Sequence, residues 1–148
     1  MKKYLPFFLV AAGIVAIDQA SKAAILASIP FGEKLWLIKG VLSFTPATNT
    51  GAAFGIFTGQ NLILLIIGIA VLAALIYFLP KLQRPMLLPA GLIAGGILGN
   101  VIDRIVRGAV TDFIDLQVWP VFNAADSALC VGVAILVLQN YLTDAAKR

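Results

Sequence analysis

The chain has 148 residues, of which 61% are hydrophobic and only 12% charged, against about 45–50% and 25% in soluble domains, and its mean hydropathy is +1.00. That composition excludes a secreted disulfide scaffold, a disordered chain and an ordinary cytosolic enzyme. The lack of His excludes imidazole bases, His-based triads and zinc–His sites. The net charge of +4 comes without basic runs, so no nucleic-acid partner is expected, and a single Cys leaves no disulfide and no metal cluster to expect.

Four apolar runs come close to the ~20 residues that cross a bilayer core, which predicts an all-α membrane protein of one domain over residues 1–148. The first covers about residues 4–29 and carries Asp18, Gln19 and Lys22 in its last third. Its Lys2-Lys3 start followed by Leu5 to Ile17 has the shape of a signal peptide, but no Ala-x-Ala site follows, and it is read as an uncleaved anchor. Residues 30–61 then form an outer loop. Within it, Lys34–Ile38 and Val41–Thr45 are β-prone runs broken by Lys39-Gly40, a hairpin signal, with Pro46 and Asn49-Thr50-Gly51 ending the second run. A small sheet lying on the outer leaflet is expected, with Trp36 and Trp119 at the interface. The second span, about 62–79, is almost uninterrupted aliphatic. The third, about 86–106, is glycine-rich, a second outer loop covers 107–126, and the fourth span is about 127–142.

Charge sets the orientation. The termini and the 80–85 connection hold Lys2, Lys3, Lys81, Arg84, Lys147 and Arg148 against Asp144. The other side holds Lys22, Lys34, Lys39, Arg104 and Arg107 against Asp18, Glu33, Asp103, Asp112, Asp115 and Asp126. Lys/Arg excess marks the cytoplasmic face, so both termini are predicted inside.

Several polar residues exceed what a simple bundle needs, because an Asp, Lys or Arg at a span centre costs roughly 2.5–3.5 kcal/mol. Asp18 and Lys22 stand i, i+4 and either neutralise one another or face a substrate. Gly91, Gly95 and Gly99 form a small-xxx-small row suited to close helix packing. Asn100, Asp103, Arg104 and Arg107 continue that helix as one polar stripe, with Arg104 suited to a carboxylate or a lipid phosphate. Asp112 and Asp115 read as solvated loop acids or, for Asp112, as half of a catalytic pair. Asp126 reads as the N-cap of the fourth helix or as the other half. Ser21 and Lys22 are adjacent and point about 100° apart, so they form no dyad, and Cys130 reads as an inert packing thiol. From these residues alone a four-span transporter and a structural assembly protein stay open. The first sits poorly with acids gathered at one membrane edge, and the second leaves Asp112 and Asp126 without a purpose.

Five motifs in order resemble those of the bacterial lipoprotein signal peptidases (signal peptidase II). They are Asp18-Gln19-Ala20-Ser21-Lys22; Asn49-Thr50-Gly51-Ala52-Ala53-Phe54-Gly55; Gly95 through Asn100 to Arg104; Val110-Thr111-Asp112-Phe113; and Phe122-Asn123-Ala124-Ala125-Asp126. The resemblance implies a cofactor-free aspartic endopeptidase of the bacterial inner membrane, working as a monomer with its active site at the outer face. Its partners would be diacylglyceryl prolipoproteins, cut on the N-terminal side of the lipidated Cys, and membrane lipid. It implies catalytic roles for Asp112 and Asp126. Substrate-binding or site-shaping roles fall to Asp18, Lys22, Asn49, Gly51, Asn100, Arg104 and Asn123, and a small extracytoplasmic β-cradle with a short outer helix falls in residues 33–61. The chain departs from the family pattern in the 13 residues between Asp112 and Asp126 and in Pro46 ahead of Asn49, features that bear on loop shape.

Overall fold

The computed structural model describes residues 2–51 and 56–145. Four helices are long and apolar enough to cross a membrane: α1 (Leu5–Ser28), α2 (Asn61–Phe78), α3 (Leu87–Val106) and α4 (Ala124–Ala145). Strands β1 (Leu35–Ile38) and β2 (Leu42–Asn49) lie between α1 and α2, and β3 (Val110–Asp115) lies between α3 and α4. The helices follow the expected spans closely except at α4, which begins ahead of Ser127 because Asn123 caps it.

Helix α3 is the centre of the bundle, packing on α1, α4 and α2. Its small residues allow this. A Cβ at Gly91 or Gly95 would lie 2.8 Å from the backbone oxygens of Phe7 and Ala11, and one at Gly99 2.6 Å from Asp18 Oδ2. These glycines bring α1 to backbone contact, as small residues do between membrane helices. On the opposite side Gly96 faces Ala125 and Leu129 of α4, and Gly132 of α4 answers with its Cβ position 2.8 Å from Pro89 O. Helix α2 contains no buried residue and packs chiefly on α3, so its aliphatic surface is left to lipid.

At the end of the bundle carrying the α2–α3 connection, Phe7, Leu79, Leu87, Ala90 and Ala94 form a core, and Gln139 Nε2 of α4 donates to Pro85 O (3.3 Å). At the other end Ile25, Ile29 and Phe113 form a second core with Phe44 and Ile114, seating the sheet on α1. The sheet is antiparallel in the order β1-β2-β3. The β1–β2 hairpin turns at Gly40, whose φ of +78° is a left-handed conformation that glycine adopts without strain.

One expectation needs correction. Pro46 does not end the second β-run: β2 continues through it to Asn49. The register to β3 slips between Phe44↔Ile114 and Ala47↔Asp112, and a bulge at this point accommodates a residue with no N–H to donate. Beyond β2, residues 56–59 form a turn; Ala52, Ala53, Phe54 and Gly55, in the stretch to which the expected short outer helix and the rest of the Asn49 motif belong, lie outside the described residues.

The glycine contacts predict opposite outcomes at two positions of similar composition. Gly95→Val is expected to lower stability by about 1–3 kcal/mol through overpacking of the α1–α3 contact. Gly13→Ala, with nothing within 4 Å of its added Cβ, is expected to be neutral or to stabilise by up to ~1 kcal/mol through helix propensity. Thermal unfolding of the two variants in detergent checks both.

Candidate active site

The site begins with a buried ammonium. Lys22 is fully buried, and its Nζ lies 2.8 Å from Asp18 Oδ2, 3.0 Å from Asp103 Oδ2 and 3.0 Å from Asn100 Oδ1. Three N–H bonds thus meet three acceptors, which is what makes a buried ammonium tolerable. Both acids are secured further. Asp18 Oδ1 accepts from Ala125 N (3.0 Å) in the first turn of α4, where backbone donors and the helix dipole favour an anion. Asp103 accepts from Thr111 N (2.9 Å) and Gln19 Nε2 (3.0 Å), and pairs with Arg107 one turn later.

Asn100 carries this framework to the next layer. Its Nδ2 donates to Asp126 Oδ1 (2.7 Å), and its Oδ1 accepts from Asn123 Nδ2 (3.1 Å) as well as from Lys22. Asn123 Nδ2 in turn lies 2.6 Å from Asp112 Oδ1, and Asn49 Nδ2 donates to Asp112 Oδ2 (2.8 Å). Asn123 and Asp126 also form a reciprocal capping box at the start of α4. Asp126 N donates to Asn123 Oδ1 (2.9 Å) and Asn123 N to Asp126 Oδ2 (3.2 Å). Asn123 is therefore the N-cap, where the sequence suggested Asp126. Asp126 occupies the third helical position and presents its carboxylate to the same space as Asp112.

That space is a cavity of about 780 Å³. Asn49, Asn100, Arg104, Asp112 and Asp126 line its polar side, and Leu116, Trp119, Val121, Phe122 and Leu129 line much of the rest. Arg104 donates to Gly51 O (3.1 Å), and its Nε makes no hydrogen bond among the described residues. Gly51 N donates to Asn49 Oδ1 (2.9 Å), and a Cβ on Gly51 would meet Ile56 O at 2.9 Å, so a side chain does not fit there. Burial, and next the nearby charge of Asp126, push the Asp112 carboxyl up to about 6 despite the amides of Asn49 and Asn123. Among the described residues no three His, Cys, Asp or Glu side chains converge as a metal ion would require.

Hydrogen bonds join all nine residues singled out in the sequence into one network. Asp18 and Lys22 belong to its foundation: both are fully buried, and the cavity lining does not include them. Neither Asp112 nor Asp115 is a solvated loop acid; both are buried in β3. Cys130 is not a packing thiol: it is exposed and lines the cavity one turn beyond Asp126. Gln19 ties Asp18 to Asp103; the sequence names it beside Asp18 in the first motif but assigns it no role of its own.

Comparison with known proteins gives this arrangement a family. The model of signal peptidase (SPase) II matches residues 10–142. The chain belongs to the signal peptidase II family. The lipoprotein signal peptidase of Syntrophomonas wolfei is 46% identical over 128 residues, covering 84% of this chain and 86% of that protein. That of Bacillus subtilis is 37% identical over 149 residues, covering 96% and 97%. A bacterial membrane enzyme solved by the in meso method at 2.3 Å superposes with a TM-score of 0.90 and 36% identity, over 96% of this chain and 91% of that one. As a signal peptidase II, the chain is a multi-pass membrane protease, and the cavity beside Asp112 and Asp126 is its candidate active site.

Two predictions follow from the charges. Lys22→Met leaves Asp18 and Asp103 buried without their shared cation and is expected to cost about 3–5 kcal/mol, measured as loss of thermal stability in detergent. Between the ordinary carboxylate value of 3.8 and about 6, native Asp112 holds a proton that the unfolded chain has released. Its contribution to stability therefore falls as pH rises through that window, by about 3 kcal/mol at most. Asp112→Asn is expected to flatten this slope, read as the pH dependence of melting between pH 4 and 7 in variant and parent.

Proposed function

We propose that this signal peptidase II is an aspartic endopeptidase that removes the signal peptide from diacylglyceryl-modified prolipoproteins, cutting on the N-terminal side of the lipidated Cys. The observation that carries the reading is the pair Asp112 and Asp126, facing one cavity and bridged by Asn123. The names of the relatives supply the substrate class. A buried carboxylate and a half-buried one facing the same cavity cannot both ionise cheaply, so the pair shares a proton and titrates as a unit. The ionised member takes a proton from a water molecule, and the protonated member donates to the scissile carbonyl oxygen. The water attacks the carbonyl carbon, and a proton passes to the departing amine as the C–N bond breaks. Asn49, Asn100 and Asn123 hold the carboxylates in place, and Arg104, with donors beyond the one it gives Gly51, is suited to a carbonyl of the substrate backbone.

The charge asymmetry of the loops supports a place in the bacterial inner membrane with both termini cytoplasmic and the sheet end outside. At that interface water reaches the carboxylates while the diacylglyceryl chains stay in lipid. Action as a monomer belongs to the same proposal.

Purified protein in detergent is expected to cleave a diacylglyceryl-modified prolipoprotein. Asp112→Asn and Asp126→Asn should each abolish turnover with the helical bundle intact by circular dichroism. Near-normal cleavage by either variant would defeat the pair.

A further inference from the structure

Asp115 is a buried carboxylate that the chemistry above does not use. It ends β3, three residues past Asp112, and accepts from Lys34 Nζ (2.8 Å), Gln117 N (2.8 Å) and Thr45 Oγ1 (3.3 Å). Gln117 completes the cluster. Its Oε1 accepts from Lys34 Nζ (3.1 Å), and its Nε2 donates to the fully buried Ser43 (3.0 Å). The Gln117 backbone is left-handed, with φ of +64°, a conformation that non-glycine side chains adopt at a cost and that its surroundings must hold. The cluster thus joins the approach to β1, the central strand β2 and the segment leaving β3.

What leaves β3 is one wall of the cavity. Residues 116–122 loop outward to Val118, 92% exposed, and return at Phe122, which pairs with Ile114. Leu116, Trp119, Pro120, Val121 and Phe122 all line the cavity. The loop leaves its base through Gln117. The distance between this apolar wall and Asp112 therefore depends on how that base is held.

We infer that Lys34, Asp115 and Gln117 form a latch that positions the 116–122 wall against the carboxylates and so sets the fit of the apolar part of the substrate flanking the scissile bond. The inference rests on the peptidase reading above. None of the three is a catalytic residue; each acts through the loop. Burial alone would raise the Asp115 carboxyl, but the bonds from Lys34 and Gln117 outweigh it and hold it below its ordinary value, so the latch stays charged where Asp112 has taken up its proton.

The test compares Lys34→Met, Asp115→Asn, Lys34→Arg and the parent in two measurements. The first is the steady-state kinetics of diacylglyceryl prolipoprotein cleavage. The second, on substrate-free protein, is the rate at which a maleimide labels Cys130, the chain's one Cys, which lines the cavity with the loop. Lys34→Met and Asp115→Asn are expected to raise KM about fivefold to tenfold, the scale of one ordinary net hydrogen bond, with kcat within about twofold of the parent. Labelling of Cys130 should quicken severalfold, and Lys34→Arg should restore both. Gln117→Gly keeps the left-handed backbone but removes the amide. It should behave like Lys34→Met even if the charge variants fold poorly. Lowered melting with KM and labelling unchanged would overturn the latch, as would a fall in kcat at constant KM. A parent that cleaves nothing would overturn the peptidase reading, while the labelling rates would still decide the latch.

Discussion

An ammonium group taken out of water inside a membrane bundle has to find acceptors for all three of its N–H bonds, and Lys22 finds them on two helices, α1 and α3. Everything at this end of the molecule is arranged around that requirement. Asp18 and Asp103 balance the charge, and each uses its spare lone pairs to hold something else: the first turn of α4 for Asp18, the start of β3 for Asp103. The third acceptor, Asn100, converts the position of the cation into the position of Asp126, and through Asn123 into that of Asp112. The glycines of α3 serve the same end, because Asp18 meets α4 only if α1 and α4 both approach α3 closely.

The acids of the chain fall into two classes by partner. Asp18, Asp103 and Asp115 bond to Lys or Arg, opposite charges that suit a structural anchor. Among the described residues Asp112 and Asp126 bond to no cation; their hydrogen bonds there come from asparagine amides and a backbone N–H. An amide orients a carboxylate without pinning its charge, so burial is free to raise Asp112 toward neutrality. In a chain without His this is how proton-transfer groups that work near neutral pH can be made. Asparagine brings a second advantage, since Asn123 can cap α4 with one atom and hold Asp112 with another.

Local features of the molecule were legible in its sequence. The spans follow from apolar run length, the Gly91–Gly95–Gly99 row from its spacing, the Asp18–Lys22 pair from i, i+4 geometry, and the hairpin from Lys39-Gly40. The resemblance of five short motifs marked the nine network residues. What stayed hidden depends on contacts distant in the chain. Asn49 meets Asp112 across 63 residues, and no pattern around Asp115 reveals that Lys34 and Gln117 close over it. Pro46 looked like a strand end because the bulge that accommodates it is set by β3. Asp126 looked like a cap because Asp and Asn are both good N-caps, and only the start of the helix at Ala124 separates the two. Cys130 looked inert because an apolar run does not say which of its faces borders a cavity.

The i, i+4 spacing of Asp18 and Lys22 also bears on how the protein is made. Chains are synthesised from the N-terminus, so α1 reaches the membrane long before α3 brings Asp103 and Asn100. A lone charge in the first segment would oppose its partitioning into lipid for all of that interval. Because the acid and the base share one helical turn, the segment carries its own counterion and can enter with its polar end neutralised. The other partners join later, when the glycine-lined face of α3 arrives to receive it.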